Sequence, residues 1–112
     1  MSVTTWPNAG SLISWLPDGT RLTDGAESLL TEIVADATDA VLDRVDPAKL
    51  PTDPDECPRT IARAIVMEAA RLLSRRDSTN GVIALGEFSI SATGTDADIS
   101  RLVKPWRLDP EP

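Results

Sequence analysis

The stretch PRTIARAIVMEAARLLSRR, at residues 58–76, decides the fold of this chain. Its apolar residues recur at intervals of three and four, which is the spacing of one face of an α-helix. Pro58 suits the first turn of a helix, where its missing N–H costs little. We therefore predict a helix over residues 58–76, ended by the polar run at residues 77–81, where Gly81 can adopt a positive φ. The apolar face consists of Ile61, Ala62, Ile65, Val66, Ala69, Leu72 and Leu73.

The upstream sequence predicts a second long helix, over residues 24–45. Asp24 is a suitable N-cap, and Glu27 three residues later completes a capping-box pattern. Apolar residues again follow at intervals of three and four. Because each helix carries one apolar face, we predict that the two pack as an antiparallel pair. Their shared core would contain Leu30, Ile33, Val34, Val41, Ile61, Ile65, Val66, Leu72 and Leu73.

The remaining segments are shorter. Residues 1–23 form an N-terminal segment with a short helix around residues 12–16, capped by Asn8 or Ser11. Residues 46–57 form a proline-rich linker, which should be stiff and extended. Residues 82–92 predict a short β-hairpin, and residues 95–104 a short helix with Thr95 at its start. The fold class is therefore mainly α, a single domain over residues 1–112 that ends in an extended tail, residues 105–112.

The charge is negative overall and unevenly distributed. The chain has 18 acidic and 11 basic residues, for a net charge of −7. Residues 1–56 carry 11 acids and 3 bases, whereas residues 57–112 carry 7 acids and 8 bases. A net negative chain is a poor match for DNA or RNA, because binding them requires neutralisation of phosphates by Lys and Arg. The asymmetry suits pairing within the chain or head-to-tail contact between copies.

The chain lacks the residues on which most catalytic and metal sites are built. It has no His and no Tyr, and Cys57 is its single cysteine. Nucleophilic arrangements that use His are therefore excluded, as are metal sites made of His or several Cys. No stretch approaches the ~20 apolar residues of a membrane span. We predict a protein that is not an enzyme, uses no cofactor or metal, and has no membrane partner.

Two charged stripes are the candidate interaction sites. Acidic residues occur at intervals of four, three and four on the helix at residues 24–45, and arginines recur every four residues around Met67 on the helix at residues 58–76. The stripes could be two solvated faces, could pair across the helical hairpin, or could join one copy to the next in a ring or filament. The residues of this predicted subunit interface are Glu32, Asp36, Asp39, Asp43, Arg59, Arg63, Arg71 and Arg75.

The tail carries a tryptophan that needs a separate interpretation. Trp106 follows Pro105, which should stop the preceding helix. The ring could fold back and cap the core, or it could bind a partner, since Trp and Arg dominate interface hot spots. We predict that the chain from Lys104 onward leaves its own domain and that Lys104, Trp106, Arg107 and Leu108 contact a partner. Trp6 and Trp15 are predicted to pack against the helix at residues 24–45.

The order of these segments resembles a known family. An Ala/Arg-rich helix containing RTIARAIVMEAAR at residues 59–71 is followed by an Asn-Gly turn, the strand-like GEFSIS at residues 86–91, and a short helix that ends in Trp106-Arg107. This pattern resembles the head-to-tail adaptor (connector) proteins of long-tailed bacteriophages. The resemblance covers about residues 24–107 and consists of patterns, not invariant signatures.

The resemblance implies a structural virion protein. It implies a ring, usually of twelve copies, that lies between the capsid portal and the tail, extends the DNA channel and docks the next connector component. The portal protein and a downstream head–tail stopper or tail component would be its partners, and its C-terminal tail would contact the portal. It also implies assembly in the host cytoplasm, a final location at the head–tail junction of the virion, and DNA that passes without specific binding. Carboxylates facing the channel would repel phosphate.

A second class of function stays open at this stage. A small acidic intracellular binding module, such as an antitoxin-like protein or an inhibitor that mimics DNA, would also have a net negative charge. The arginines of residues 58–76 argue against pure DNA mimicry, because a mimic needs a continuous negative surface.

Overall fold

The computed structural model describes residues 3–16, 25–80 and 96–107, with the side chains of residues 74–80 and 96–97 excepted. These parts are mainly helical, as predicted. They contain the helices α1 (Ala9–Trp15), α2 (Ala26–Leu42), α3 (Arg59–Asn80) and α4 (Asp96–Val103). Two 3₁₀ turns, Pro47–Lys49 and Lys104–Trp106, and two short strands, β1 (Val3–Thr4) and β2 (Cys57–Pro58), complete the described elements.

Helix α3 lies at the centre of the domain. Seven consecutive residues, Ala64 to Ala70, are all buried. A helix that is buried on every side must be covered by several neighbours, and α1, α2, α4 and both strands all contact α3. Three of the seven residues are alanines, whose small side chains allow those neighbours to approach closely. The sequence prediction of a single apolar face therefore underestimated how much of this helix is buried.

The core joins all four helices. Of the nine predicted core residues, eight are buried, and Leu72 is partly buried at the edge of the core. Helices α1 and α4 contribute residues that the prediction had not included, among them Leu12, Ile99 and Val103, each with no exposed surface. Helices α2 and α3 contact each other more extensively than any other pair. The antiparallel direction of that pair stays a prediction.

Helix α2 is shorter than the predicted span of residues 24–45. Its N-cap is Gly25, which adopts the left-handed conformation with φ 80° and makes no side-chain cap. The predicted capping box of Asp24 and Glu27 is therefore wrong, because the N-cap falls one residue later; Asp24 itself lies outside the described residues. At the other end, the amides of Arg44 and Val45 donate to the carbonyls three residues before them. The α-helix therefore ends at Leu42 and is followed by tighter turns with hydrogen bonds between residues three apart.

Helix α3 begins and ends later than predicted. Pro58 belongs to strand β2, immediately before the helix, and the helix continues to Asn80, four residues past the predicted end. The sequence predicts that the polar run at residues 77–81 stops the helix, but four of these residues, 77–80, are helical. Asp, Ser, Thr and Asn each cost only about 0.5–0.7 kcal/mol relative to Ala within a helix, and an established helix can absorb that.

The linker is not extended as predicted. Asp46 accepts a hydrogen bond from the Ala48 amide at 3.0 Å and starts the 3₁₀ turn. Asp53 accepts from the Asp55 amide at 2.9 Å, which forms another local turn. Aspartate side chains stabilise such turns by bonding to the backbone two residues ahead, and here this outweighs the stiffness that the prolines impose.

A small antiparallel sheet closes the fold. Val3 pairs with Pro58 and Thr4 pairs with Cys57, so the start of the described chain is fixed to the start of α3.

The predicted hairpin at residues 82–92 lies outside the described residues. Of the two alternative caps predicted for the first short helix, Asn8 is the N-cap of α1, and Ser11 three residues later completes a reciprocal capping box with it. Helix α4 confirms the predicted short helix at residues 95–104, although Thr95 lies outside the described residues.

Candidate interaction surfaces

The predicted acidic stripe forms one exposed surface of α2. Glu32, Asp36, Asp39 and Asp43, hereafter the acidic ridge, are all exposed. At 3.6 residues per turn they occupy about 60° of the helix circumference. Ile33, Ala37 and Val41 are buried on the other side. The apolar residues therefore hold α2 against the core and turn the acidic ridge outward.

Two carboxylates of the acidic ridge lie near the end of α2. Asp39 is three residues from the end of this helix and Asp43 is its C-cap, and the last turn contains no basic residue. The C-terminus of a helix carries a partial negative charge, which favours cations and disfavours carboxylates. A positively charged group that docks beside Asp39 is therefore attracted, whereas beside Asp43 the adjacent Arg44 offsets part of this attraction.

The predicted arginine stripe is not one continuous surface. Arg59 and Arg63, hereafter the arginine pair, are exposed on the first turns of α3. Met67 is only 6% exposed and belongs to the core. Arg71 is partly buried and pairs within the chain, and the side chain of Arg75 lies outside the described residues. The stripe is interrupted because the elements packed around α3 cover Met67, whereas Arg59 and Arg63 are left exposed.

Arg71 pairs with a residue that sequence analysis missed. Its Nη1 atom lies 2.9 Å from Glu68 Oε1 and 3.3 Å from Glu68 Oε2. Glu68 is only 7% exposed, so its carboxylate depends on this partner. The sequence does contain a signal for this pair, because Glu68 interrupts an apolar run and Arg71 follows it about one helical turn later. Arg71 is therefore an intramolecular partner in this structure, which removes one candidate from the predicted subunit interface.

A groove of about 670 Å³ lies between the N-terminal segment and α2. Residues 6–10 form one wall of this α2 groove. The other wall is formed by residues of α2, namely Glu27, Thr31, Val34, Ala35, Thr38 and Asp39. Trp6 faces α2 across the groove, and its indole N–H donates to the Pro54 carbonyl at 2.8 Å. Its packing against α2 stays a prediction. Asp39 belongs both to the groove and to the acidic ridge, so the two features are continuous.

A second hollow of about 220 Å³ lies between the N-terminal segment and α3. It is lined by Trp15 together with Ala62, Arg63 and Val66 of α3. Trp15 therefore lies beside α3, whereas the prediction placed it against α2. Pro7 lines both hollows, and Arg63 lines this hollow but not the α2 groove.

The C-terminal segment packs against its own domain as far as Arg107. Trp106 is half-buried against the core, and its indole N–H donates to Thr60 Oγ1 at 2.9 Å. The Asp46 amide donates to the Trp106 carbonyl at 2.7 Å, and Lys49 Nζ donates to the Arg107 carbonyl at 2.6 Å. The expectation that the chain leaves its domain from Lys104 onward is therefore wrong for residues 104–107. The residues after Arg107, including Leu108, lie outside the described residues.

The described residues offer neither a membrane span nor a metal centre. No helix in these parts of the chain has both the length and the apolar character that a span requires. Nor do the same parts contain a group of three or more His, Cys, Asp or Glu residues that could hold a metal ion. Burial raises the pKa of the Cys57 thiol to about 11, and its Sγ donates to the Pro58 carbonyl. This is the environment of a structural cysteine, not of a reactive one.

Comparisons with protein-family models, with curated proteins and with solved structures found no match for this chain.

Proposed function

We propose that this chain is a structural virion protein that forms a ring between the capsid portal and the tail of a long-tailed bacteriophage. In this role it extends the DNA channel and docks the next connector component. The order of segments in the sequence supports the proposal, as does the mainly helical fold. The proposal includes an antiparallel arrangement of α2 and α3, assembly in the host cytoplasm and a final position at the head–tail junction.

The observation that carries the proposal is the separation of opposite charges on one protomer. The acidic ridge lies on α2 and the arginine pair on α3, and both are exposed. Complementary patches at different places on a protomer give heterologous contacts, which close into a ring when the rotation between copies permits. A single exposed ion pair contributes only ~0–1 kcal/mol. Because a ring repeats the same contact at every subunit boundary, the small free energies of the individual ion pairs add up to stabilise the assembly.

The acidic ridge has a second role in this proposal. Carboxylates that are not covered by the neighbouring copy would face the channel and repel the phosphates of passing DNA. The net charge of −7 per chain is consistent with a channel through which DNA moves without binding.

The portal contact would use the docked C-terminal segment. Lys104 and Arg107 are exposed, and Trp106 is half-buried beside them. In this arrangement the portal meets the surface that residues 104–107 form against their own domain, which needs no ordering during docking. Leu108 is a further proposed contact.

The test of this function is whether the chain belongs to the assembled particle. Virus particles purified by density centrifugation should contain the chain, and antibody-coupled gold should label the junction between head and tail. The second candidate, a small acidic intracellular binding module, is favoured only by the exposure of the acidic ridge. It predicts that the chain stays in the soluble fraction of infected cells, bound to a single partner and absent from particles.

A further inference from the structure

The α2 groove is built to receive a side chain that donates hydrogen bonds. Three of the donors in or near its walls are already used inside the chain. The Trp6 indole N–H bonds to Pro54, and the hydroxyls of Thr31 and Thr38 donate to the Glu27 and Val34 carbonyls at 3.0 and 2.8 Å. The Asn8 amide can still donate from the opposite wall, whereas the α2 wall itself offers apolar surface and the carboxylate oxygens of Glu27 and Asp39.

The two carboxylates of the groove are not equivalent. Glu27 lies in the first turn of α2, where the helix dipole stabilises a negative charge, whereas Asp39 lies near the negative end. Neither takes part in an ion pair among the residues that the structure describes. A cation therefore gains most at the Asp39 end, where Asp43 follows one turn later.

An arginine side chain has the chemistry that this end of the groove requires. Its methylene stem can lie on Ala35 and Trp6, while its guanidinium reaches Asp39. A tryptophan face adds a favourable cation–π contact when the guanidinium lies over it. A lysine would supply the positive charge but could not form the bidentate hydrogen bonds that arginine makes with a carboxylate.

The chain itself supplies a matching donor surface. Arg59 and Arg63 are exposed and four residues apart, as are Asp39 and Asp43, so both pairs are separated by about 6 Å along their helices. Within one protomer Arg63 does not line the α2 groove, and among the residues that the structure describes no ion pair joins Arg63 to Asp39. A protomer therefore does not fill its own groove with this arginine.

We propose that the arginine pair of a second copy docks at the Asp39 end of the α2 groove, with Arg63 entering beside Trp6 and Ala35. This inference builds on the proposed function and names the contact that would join neighbouring subunits. The contact is heterologous, because the groove and the arginine pair are different surfaces of the protomer.

Filling the groove tests its role directly. Ala35 is exposed on the groove wall, so Ala35→Trp should occupy the groove without disturbing the core. Ala40→Trp is the matched control, because Ala40 is exposed on the same helix and does not line the groove. In sedimentation velocity of the full chain, Ala35→Trp should weaken self-association by at least about tenfold, as expected when the centre of an interface is blocked. The control should associate like the wild type, and circular dichroism should show both variants folded.

Charge exchange tests the identity of the occupant. Asp39→Arg and Arg63→Asp should each abolish association when measured alone, whereas Asp55→Lys, at an exposed residue outside α2, should leave it unchanged. An equimolar mixture of the two chains, and a single chain with both substitutions, should associate again, because every contact then joins opposite charges. Failure of both rescues would overturn the assignment of Arg63 as the occupant.

The outcomes separate this contact from the proposed function. If the wild type forms rings and Ala35→Trp forms them equally well, the docking proposal is overturned while the ring survives. If Ala35→Trp blocks association but the chain is absent from virus particles, the groove contact stands and the virion function fails. A wild-type chain that stays monomeric at every concentration overturns the docking proposal.

Discussion

Arg71 holds the buried carboxylate of Glu68 through an ion pair of 2.9 Å on the most deeply buried helix of the domain. Breaking a buried pair by removing one partner strands the other charge in a poorly solvated place. Arg71→Met should therefore lower the free energy of unfolding by about 3 kcal/mol, measured by urea denaturation. Replacing both residues, with Glu68→Leu added, should recover most of the loss. An Arg71→Met variant as stable as the wild type would show that Glu68 is well solvated without its partner.

Ile65 and Leu72 provide a graded test of the core. Ile65 has no exposed surface, whereas Leu72 is only partly buried. Ile65→Ala should cost about 2–5 kcal/mol, through lost burial and the cavity left behind. Leu72→Ala should cost clearly less, because its site is partly open to water. Equal losses in chemical denaturation would contradict the burial of these two positions.

Trp106 should stabilise its own domain. Trp106→Ala should lower the free energy of unfolding by about 2 kcal/mol, below the 3–5 kcal/mol typical of a fully buried tryptophan. Thr60→Val removes only the acceptor of the indole N–H and should cost about 1 kcal/mol. Thermal unfolding of the three chains provides the measurement. If neither substitution changes the melting temperature, the C-terminal segment is not held by these contacts in solution.

The Cys57 thiol should make the stability of the fold depend on pH in the alkaline range. Burial raises the pKa of its thiol from 9.0 to about 11, so the folded state keeps its proton where the unfolded chain begins to lose it. The resulting stability is fully present below pH 9.0 and is lost as the pH rises towards about 11. Between these values the wild type should lose more stability than Cys57→Ala does. Identical pH profiles for the two chains would mean that the thiol titrates normally in the fold.

The sequence predicted what depends on local spacing. Residue type predicted Asn8 or Ser11 as the cap of α1, and Asn8 is the N-cap. The core positions of α2 follow from a 3.6-residue period. These features need no knowledge of the rest of the chain. The boundaries were predicted less accurately, since Gly25 and not Asp24 is the N-cap of α2.

Features that depend on distant segments were missed. The pairing of Val3–Thr4 with Cys57–Pro58 is only two residues long and joins segments more than fifty residues apart, so no local pattern announces it. The docking of Trp106 on Thr60 likewise joins residues 46 positions apart. The continuous arginine stripe failed for a related reason. Spacing placed Met67 with the arginines, but the neighbours around α3 decided which of these positions are exposed.

The most direct test of the central proposal, a ring joined by opposite charges, is the native mass of the purified full chain. Native mass spectrometry should show the wild type as one closed oligomer, with twelve copies as the size that the family resemblance implies. A chain with Arg59→Glu and Arg63→Glu should be a folded monomer, because both residues are exposed and neither belongs to the core. A wild type that remains monomeric, or a variant that forms the same closed oligomer, would contradict the account.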